Sequence, residues 1–108
     1  MRIEERHVSP DGALALIVCV SDDEVTIGFE GLPWHTHDDL EAARLGKSPE
    51  IAVREFVDSI VQDRQVIAVA TVAGQIIAAW PTEDLSPDPF KPDDETITFR
   101  RWSGVEVL

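Results

Sequence analysis

The sequence contains very little cysteine. One residue in 108, Cys19, carries a thiol, so an intramolecular disulfide is excluded. Cys19 lies in an apolar run and is therefore interpreted as a small core residue. A chain of this length has room for one hydrophobic core, which predicts a single domain over residues 1–108 that folds without a disulfide or a structural metal.

Long apolar runs are absent as well. The longest, Ala13 to Val20, has eight residues, whereas a helix that crosses a bilayer needs about 20. The N-terminal segment from Met1 to Arg6 also lacks the basic start and apolar stretch of a secretory signal. We therefore expect a cytoplasmic protein that has no membrane partner.

Positive charge is scarce throughout the chain. Nine basic residues stand against 21 acidic ones, which gives a net charge of −12 at pH 7. The resulting negative potential repels phosphate backbones and argues against a nucleic-acid partner. The same potential speeds association with a cationic molecule, so a basic protein is the partner that the composition favours.

Strand patterns occupy both ends of the chain. Ser9-Pro10-Asp11-Gly12 has the composition of a hairpin turn, which predicts a first strand from Arg2 to Val8 and a second from Ala13 to Val20. The second run is apolar at odd and even positions alike, as in a central strand covered on both faces. The next segment has the two-residue period of a half-buried strand, with apolar side chains at Val25, Ile27 and Phe29 and polar residues or glycine between them. Three later runs also have strand character: residues 66–72, 76–80 and 96–102.

Two helices are predicted between these groups of strands. Asp38, with Glu41 three residues later, resembles a helix-starting cap, and Gly46 is predicted to end this short helix. Ser48-Pro49 marks a second start, after which apolar residues recur at helical spacing to Val61. The order β-β-β-α-α-β-β-β predicts an α+β fold, with a mainly antiparallel sheet of about six strands and two helices packed on one face.

The predicted sheet has more apolar surface than two helices on one face can cover, because the runs 13–20 and 66–72 carry apolar residues on both faces of the strand. Sheet curvature, an acidic proline-rich surface loop predicted at 81–94, or a second molecule could supply the missing cover. A two-fold dimer is the commonest self-association, and aromatic residues are enriched in interfaces. The interface candidates are Trp34, Trp80, Phe90 and Trp102.

The segment Trp34-His35-Thr36-His37-Asp38-Asp39 contains the residues best suited to bind a metal ion or another ligand. In an extended chain its two imidazoles lie on one side, about 6 to 7 Å apart along the backbone. Two such histidines can share a zinc or iron ion, which needs a further ligand. The candidates for that ligand are Asp38, Asp39, Glu41 and His7. In the alternative interpretation the histidines fill loop positions, while Thr36 and Asp38 cap the following helix.

No complete catalytic motif accompanies these histidines. The chain lacks a G-x-S-x-G elbow and a phosphate-binding glycine loop, so no cofactor is expected. We therefore interpret the chain as a non-enzymatic protein-interaction module, a homodimer that binds a basic protein, as a toxin-neutralising or adaptor protein would. The alternative function is a small metal-dependent hydrolase or ligand-binding domain that uses His35 and His37.

Overall fold

The computed structural model describes residues 2–86 and 91–107. It confirms the α+β class, with two helices and two antiparallel sheets in this part of the chain. The strand count is seven rather than about six. The elements are β1 (Arg2–Val8), β2 (Ala15–Ser21), β3 (Glu24–Phe29), β4 (His35–His37), α1 (Asp38–Leu45), α2 (Pro49–Val61), β5 (Val66–Val72), β6 (Gln75–Thr82) and β7 (Glu95–Arg100).

The first sheet has the order β1-β2-β3-β4, and each neighbouring pair is antiparallel. β2 lies inside this sheet, as its two-sided apolar pattern predicted. The turn between β1 and β2 contains the predicted turn residues: Gly12 has a φ of 74° and donates its N–H to the Ser9 carbonyl at 2.8 Å. Glycine adopts such a positive φ without a steric penalty, which explains its place in this turn.

The second sheet has the order β6-β5-β7 and is separate from the first, although a single sheet was predicted. Both outer strands run antiparallel to β5, so β6 and β7 are parallel to each other. Thr82, at the end of β6, pairs with Val66, whereas Glu95, at the start of β7, pairs with Val72. The two strands are therefore joined by a connection whose ends lie at opposite ends of β5.

The acidic proline-rich segment predicted as a surface loop at 81–94 is partly described. Pro81 and Thr82 are the last residues of β6, an outer strand, where a proline is tolerated. Residues 83–86 and 91–94 contain neither helix nor strand. Residues 87–90, and with them the interface candidate Phe90, lie outside the described residues.

The second helix follows the predicted pattern closely. Ser48 takes the N-cap position and Pro49 the first helical position, where a missing N–H removes no hydrogen bond. One face of α2 is buried, and it consists of Ala52, Phe56, Val57 and Ile60. α2 has 13 residues, and no helix among the described residues is long and apolar enough to cross a membrane.

The first helix starts differently from the prediction. His37, rather than Asp38, occupies the N-cap, and its side chain makes no capping hydrogen bond, because β4 leads directly into α1. The predicted end is confirmed. Gly46 has a left-handed φ of 65°, and its N–H bonds to the Ala42 carbonyl.

One hydrophobic core joins both sheets to α2. Its members come from the inner face of each sheet, the buried face of the helix and the segments next to β2 and β7. They are Leu14, Leu16, Val18, Ile27, Phe29, Phe56, Val57, Ile60, Ile67, Val69, Ala79 and Trp102. The interface candidate Trp102 is thus part of the core and is 5% exposed.

An ion pair connects the two sheets. Arg100, on β7, donates to both carboxylate oxygens of Asp11, in the β1–β2 turn, at 2.7 and 3.1 Å. The Arg100 hydrogen bond, followed by one from the Ser9 hydroxyl, holds the pKa of Asp11 well below its usual range. Gly104 leaves room for this carboxylate, because a Cβ at position 104 would lie only 3.2 Å from an Asp11 oxygen.

Candidate functional site

The two histidines of the predicted site lie on β4, the outer strand of the first sheet. His35 pairs with Gly28 and His37 with Thr26, while Thr36 between them pairs with the core residue Ile27. Successive side chains of a strand point to opposite faces, so both imidazoles lie on the face that is turned away from the core. Their ring centroids are 5.0 Å apart.

Gly28 allows β4 to approach β3 at this point. A Cβ on Gly28 would lie 2.9 Å from the Trp34 carbonyl oxygen and 3.2 Å from the Cβ of His35. A backbone atom cannot move away as a flexible side chain can. The absence of a side chain at position 28 therefore allows His35 to take its place beside β3.

Each imidazole has a polar contact through its Nδ1 atom. Nδ1 of His37 lies 2.7 Å from a carboxylate oxygen of Glu24 and 3.2 Å from the Thr26 hydroxyl. Nδ1 of His35 lies 3.2 Å from the Pro33 carbonyl oxygen. These contacts orient the rings over the outer face of the sheet.

The carboxylates that follow the histidines serve the local structure. Asp38 accepts the backbone N–H groups of Val25 and Asp39 at 3.4 and 3.0 Å, and Asp39 accepts that of Leu40 at 2.9 Å. The bonds from Asp39 and Leu40 belong to the first turn of α1, where unpaired N–H groups need acceptors, and the bond from Val25 links that turn to β3.

Glu41 is buried, and its carboxylate is fully engaged. It accepts a hydrogen bond from the Thr36 hydroxyl at 2.9 Å and two from the Arg44 guanidinium at 3.0 and 2.7 Å. Thr36 lies on the core side of β4, so this carboxylate is on the side of the strand opposite the imidazoles. Glu41 thus fastens β4 to α1.

His7 lies far from the other two histidines in the sheet. It is on β1, at the opposite edge, and its ring lies 3.1 Å from a carboxylate oxygen of Glu5. Its cross-strand partner is the core residue Leu16, so His7 and the β4 imidazoles belong to opposite faces. Within residues 2–86 and 91–107, no group of three or more His, Cys, Asp or Glu side chains is arranged to hold a metal ion.

The histidines border a groove of about 450 Å³ on the outer face of the first sheet. We call it the imidazole groove. Its floor consists of outward residues of β2 and β3, and its walls come from the β3–β4 connection and β4: Ile17, Cys19, Thr26 and Gly28 below, with Leu32, Trp34, His35 and His37 around them. Cys19 is buried, as predicted, but beneath this groove, on the face opposite α2.

An acidic depression of about 530 Å³ adjoins the imidazole groove. It is lined by the β2–β3 turn and the start of α1, and it shares Ser21 and Glu24 with the groove. We call its residues the acidic rim: Ser21, Asp22, Asp23, Glu24, Asp38 and Asp39. The acidic rim presents five carboxylates and no cationic side chain.

Two of the predicted interface aromatics differ in their surroundings. Trp34 is half-buried, lines the imidazole groove, and packs on Phe29 and Phe56 with ring centroids 5.9 and 6.1 Å away. Trp80 is half-buried on β6, opposite Ala68, and belongs to the second sheet. The aromatic candidates therefore do not form one surface among the described residues.

Sequence reasoning missed the part of the site that comes from β2 and β3. Neither Glu24 nor Thr26 belongs to a sequence motif that points to a site. Only the pairing of β3 with β4 brings them to His37. Comparisons of the chain with protein families, with curated proteins and with solved structures found no match.

Proposed function

We propose that this chain is a non-enzymatic protein-interaction module that binds a basic protein partner through the imidazole groove and the acidic rim. A homodimeric state and a cytoplasmic location are part of the proposal. The observation that carries it is the continuity of the two surfaces, which share Ser21 and Glu24. An apolar floor thus leads directly into a cluster of carboxylates.

This combination suits the side chains of lysine and arginine. Both have an apolar stem and a cationic end, and they bury the stem while the charge stays at a polar border. The stem would lie over Ile17 and Cys19, and the charge would reach Glu24 and the rest of the acidic rim. The partner is therefore expected to present cationic side chains next to apolar ones.

The two surfaces would contribute in different ways. A single exposed ion pair adds only about 0–1 kcal/mol, so the acidic rim would act mainly on the association rate and on the choice of a positively charged partner. Burial of apolar surface in the imidazole groove would lower the dissociation rate. Added salt should then weaken binding by slowing association.

A direct test uses a labelled synthetic peptide of alternating arginine and leucine, and a matched peptide with glutamate in place of arginine. Fluorescence anisotropy should detect binding of the first peptide and none of the second. The double variant Asp22→Asn/Asp23→Asn should weaken binding several-fold. The control Asp93→Asn/Asp94→Asn removes an exposed aspartate pair outside the acidic rim, and each variant has a net charge of −12 + 2 = −10. Equal weakening by both variants, or no binding of the basic peptide, would contradict the proposal.

A second candidate function rests on the separation of 5.0 Å between the His35 and His37 rings. Two imidazoles at this distance would support a small metal-dependent hydrolase or a ligand-binding domain, with the remaining ligands supplied by substrate or water. Metal analysis of the purified protein, and thermal shifts with zinc, nickel and manganese, test it. A shift that is lost in His35→Ala/His37→Ala would support it, and no stoichiometric metal and no shift would exclude it.

A further inference from the structure

β6 is the longest edge strand in the described part of the chain, and it has no charged residue. The other edge strands are β1, β4 and β7. Four of the seven residues of β1 are charged, and β4 has three residues. The outer side of β7 is occupied by the C-terminal segment, since the Val107 N–H bonds to the Phe99 carbonyl at 2.9 Å and Arg100 forms a bridge with Glu106.

β6 has eight residues and no charged side chain, in a chain where 28% of residues are charged. Its last residues, Pro81 and Thr82, line a small cavity together with Trp34, which leaves residues 75–80 as the open part of the edge. The pairing of β5 with β6 shifts by one residue between Ala70 and Thr71. Ile77 is therefore the unpaired residue of a β-bulge on β6, and it is 46% exposed. Proteins protect an exposed edge with charged residues, prolines or bulges, because its free N–H and C=O groups can pair with another strand. β6 has the bulge at Ile77 and a proline near its end, but no charge anywhere along the edge.

We propose that β6 is the surface through which two copies of this chain associate, by antiparallel pairing of β6 with β6 of the second copy. This inference rests on the homodimeric part of the proposed function and names its surface. The two three-stranded sheets would become one six-stranded sheet with the order β7-β5-β6-β6-β5-β7. Strand pairing about a two-fold axis is self-complementary, so it needs no complementary charge.

Charge selects a second copy rather than a basic protein as the occupant. A cationic partner would find no carboxylate on β6, whereas it finds five on the acidic rim. Two molecules with a net charge of −12 repel each other, and they approach most easily where both surfaces are uncharged. The two binding surfaces lie on different sheets, so partner binding and self-association can be measured separately.

The two interactions should depend on salt in opposite ways. Salt screens the repulsion between two acidic molecules, so the dimer should become tighter as the ionic strength rises. Binding of the basic peptide should become weaker under the same conditions. A paired edge buries less than the roughly 800 Å² per partner of a standard interface, so the dimer should be weak and concentration dependent.

Sedimentation velocity from micromolar to millimolar protein tests the inference. The wild-type chain should shift from monomer to dimer, and Ile77→Lys should remain a monomer at every concentration because it places a charge on the edge. The control Ile51→Lys changes an exposed isoleucine on α2, which is 52% exposed, and should dimerise like the wild type. A wild-type monomer throughout, or an Ile77→Lys variant that dimerises as well as the control, would overturn the inference.

Hydrogen exchange of the wild-type chain provides a test that needs no substitution. Amide protection within residues 75–80 should rise between low and high protein concentration, with β1 unchanged. A concentration-dependent rise in β1 and none in β6 would also overturn the inference. The Ile77→Lys monomer should still bind the basic peptide, so loss of dimerisation alone leaves partner binding intact, and failure of the peptide to bind the wild type leaves the dimer test unaffected.

Discussion

The ion pair between Asp11 and Arg100 should contribute measurably to stability, because it links the β1–β2 turn to β7. The Arg100 side chain is 11% exposed and that of Asp11 is 40% exposed. Such a pair falls between an exposed pair, which contributes about 0–1 kcal/mol, and a buried one, whose disruption costs about 3–5 kcal/mol. For Asp11→Asn we expect a loss of about 2 kcal/mol in the free energy of unfolding.

The expected change in melting temperature follows from the size of the chain. Unfolding 108 residues carries an entropy of about 0.23 kcal/mol/K, so a loss of about 2 kcal/mol lowers the Tm by about 9 °C. Arg6→Gln is the control, since Arg6 and Glu30 form an ion pair with side chains that are 51% and 40% exposed. Its Tm should stay close to that of the wild type. Circular dichroism melts of the three proteins at neutral pH provide the comparison.

The pH dependence of this contribution has a definite sign. The pKa of Asp11 is lowered in the folded protein, first by the Arg100 hydrogen bond and then by that of Ser9. A carboxylate with a lowered folded pKa adds stability above its unfolded pKa, ordinarily about 3.9, and this stability is lost as the pH falls toward the folded pKa. The Tm difference between wild type and Asp11→Asn should therefore shrink below about pH 4. A difference that is absent at neutral pH, or that grows on acidification, would refute the reasoning.

Two further substitutions test the geometry around β4. Gly28→Ala should cost about 1–3 kcal/mol, measured by urea denaturation, because the new Cβ would lie 2.9 Å from the Trp34 carbonyl oxygen; an unchanged midpoint would show that β4 can move away freely. Glu41→Ala should cost about 1–3 kcal/mol in the same assay, because it leaves the buried Thr36 hydroxyl without its acceptor. Glu55→Ala, which removes an exposed partner of Lys47, is the control and should leave the midpoint nearly unchanged.

Much of the fold follows from local sequence patterns. The helical spacing after Ser48-Pro49 predicted α2, because one stripe of a helix must be apolar to reach a core. The two-sided apolar run from Ala13 to Val20 predicted an internal strand, and β2 is internal. Gly46 predicted the end of α1 because a left-handed residue is favoured there.

The division into two sheets was not predictable in this way. Strand patterns report which residues are covered, and they do not report which strands are neighbours. The segment His35–His37 is too short to show a period, so its place as a fourth strand emerges only from its pairing with Thr26, Ile27 and Gly28. That pairing depends on contacts between distant parts of the chain.

The candidate site shows the same division between what local sequence patterns predict and what strand pairing decides. Composition and alternation alone specified an acidic chain, the α+β class, and two imidazoles on one side of an extended segment. Tertiary structure decided that Glu24 meets His37, that Cys19 lies below the imidazole groove, and that His7 and Glu41 lie on the other side of the sheet. The reason is physical: alternation shows which side chains of a strand share a face, whereas strand register and sheet order decide which face is turned to the core and which residues are neighbours, and only the folded chain defines these.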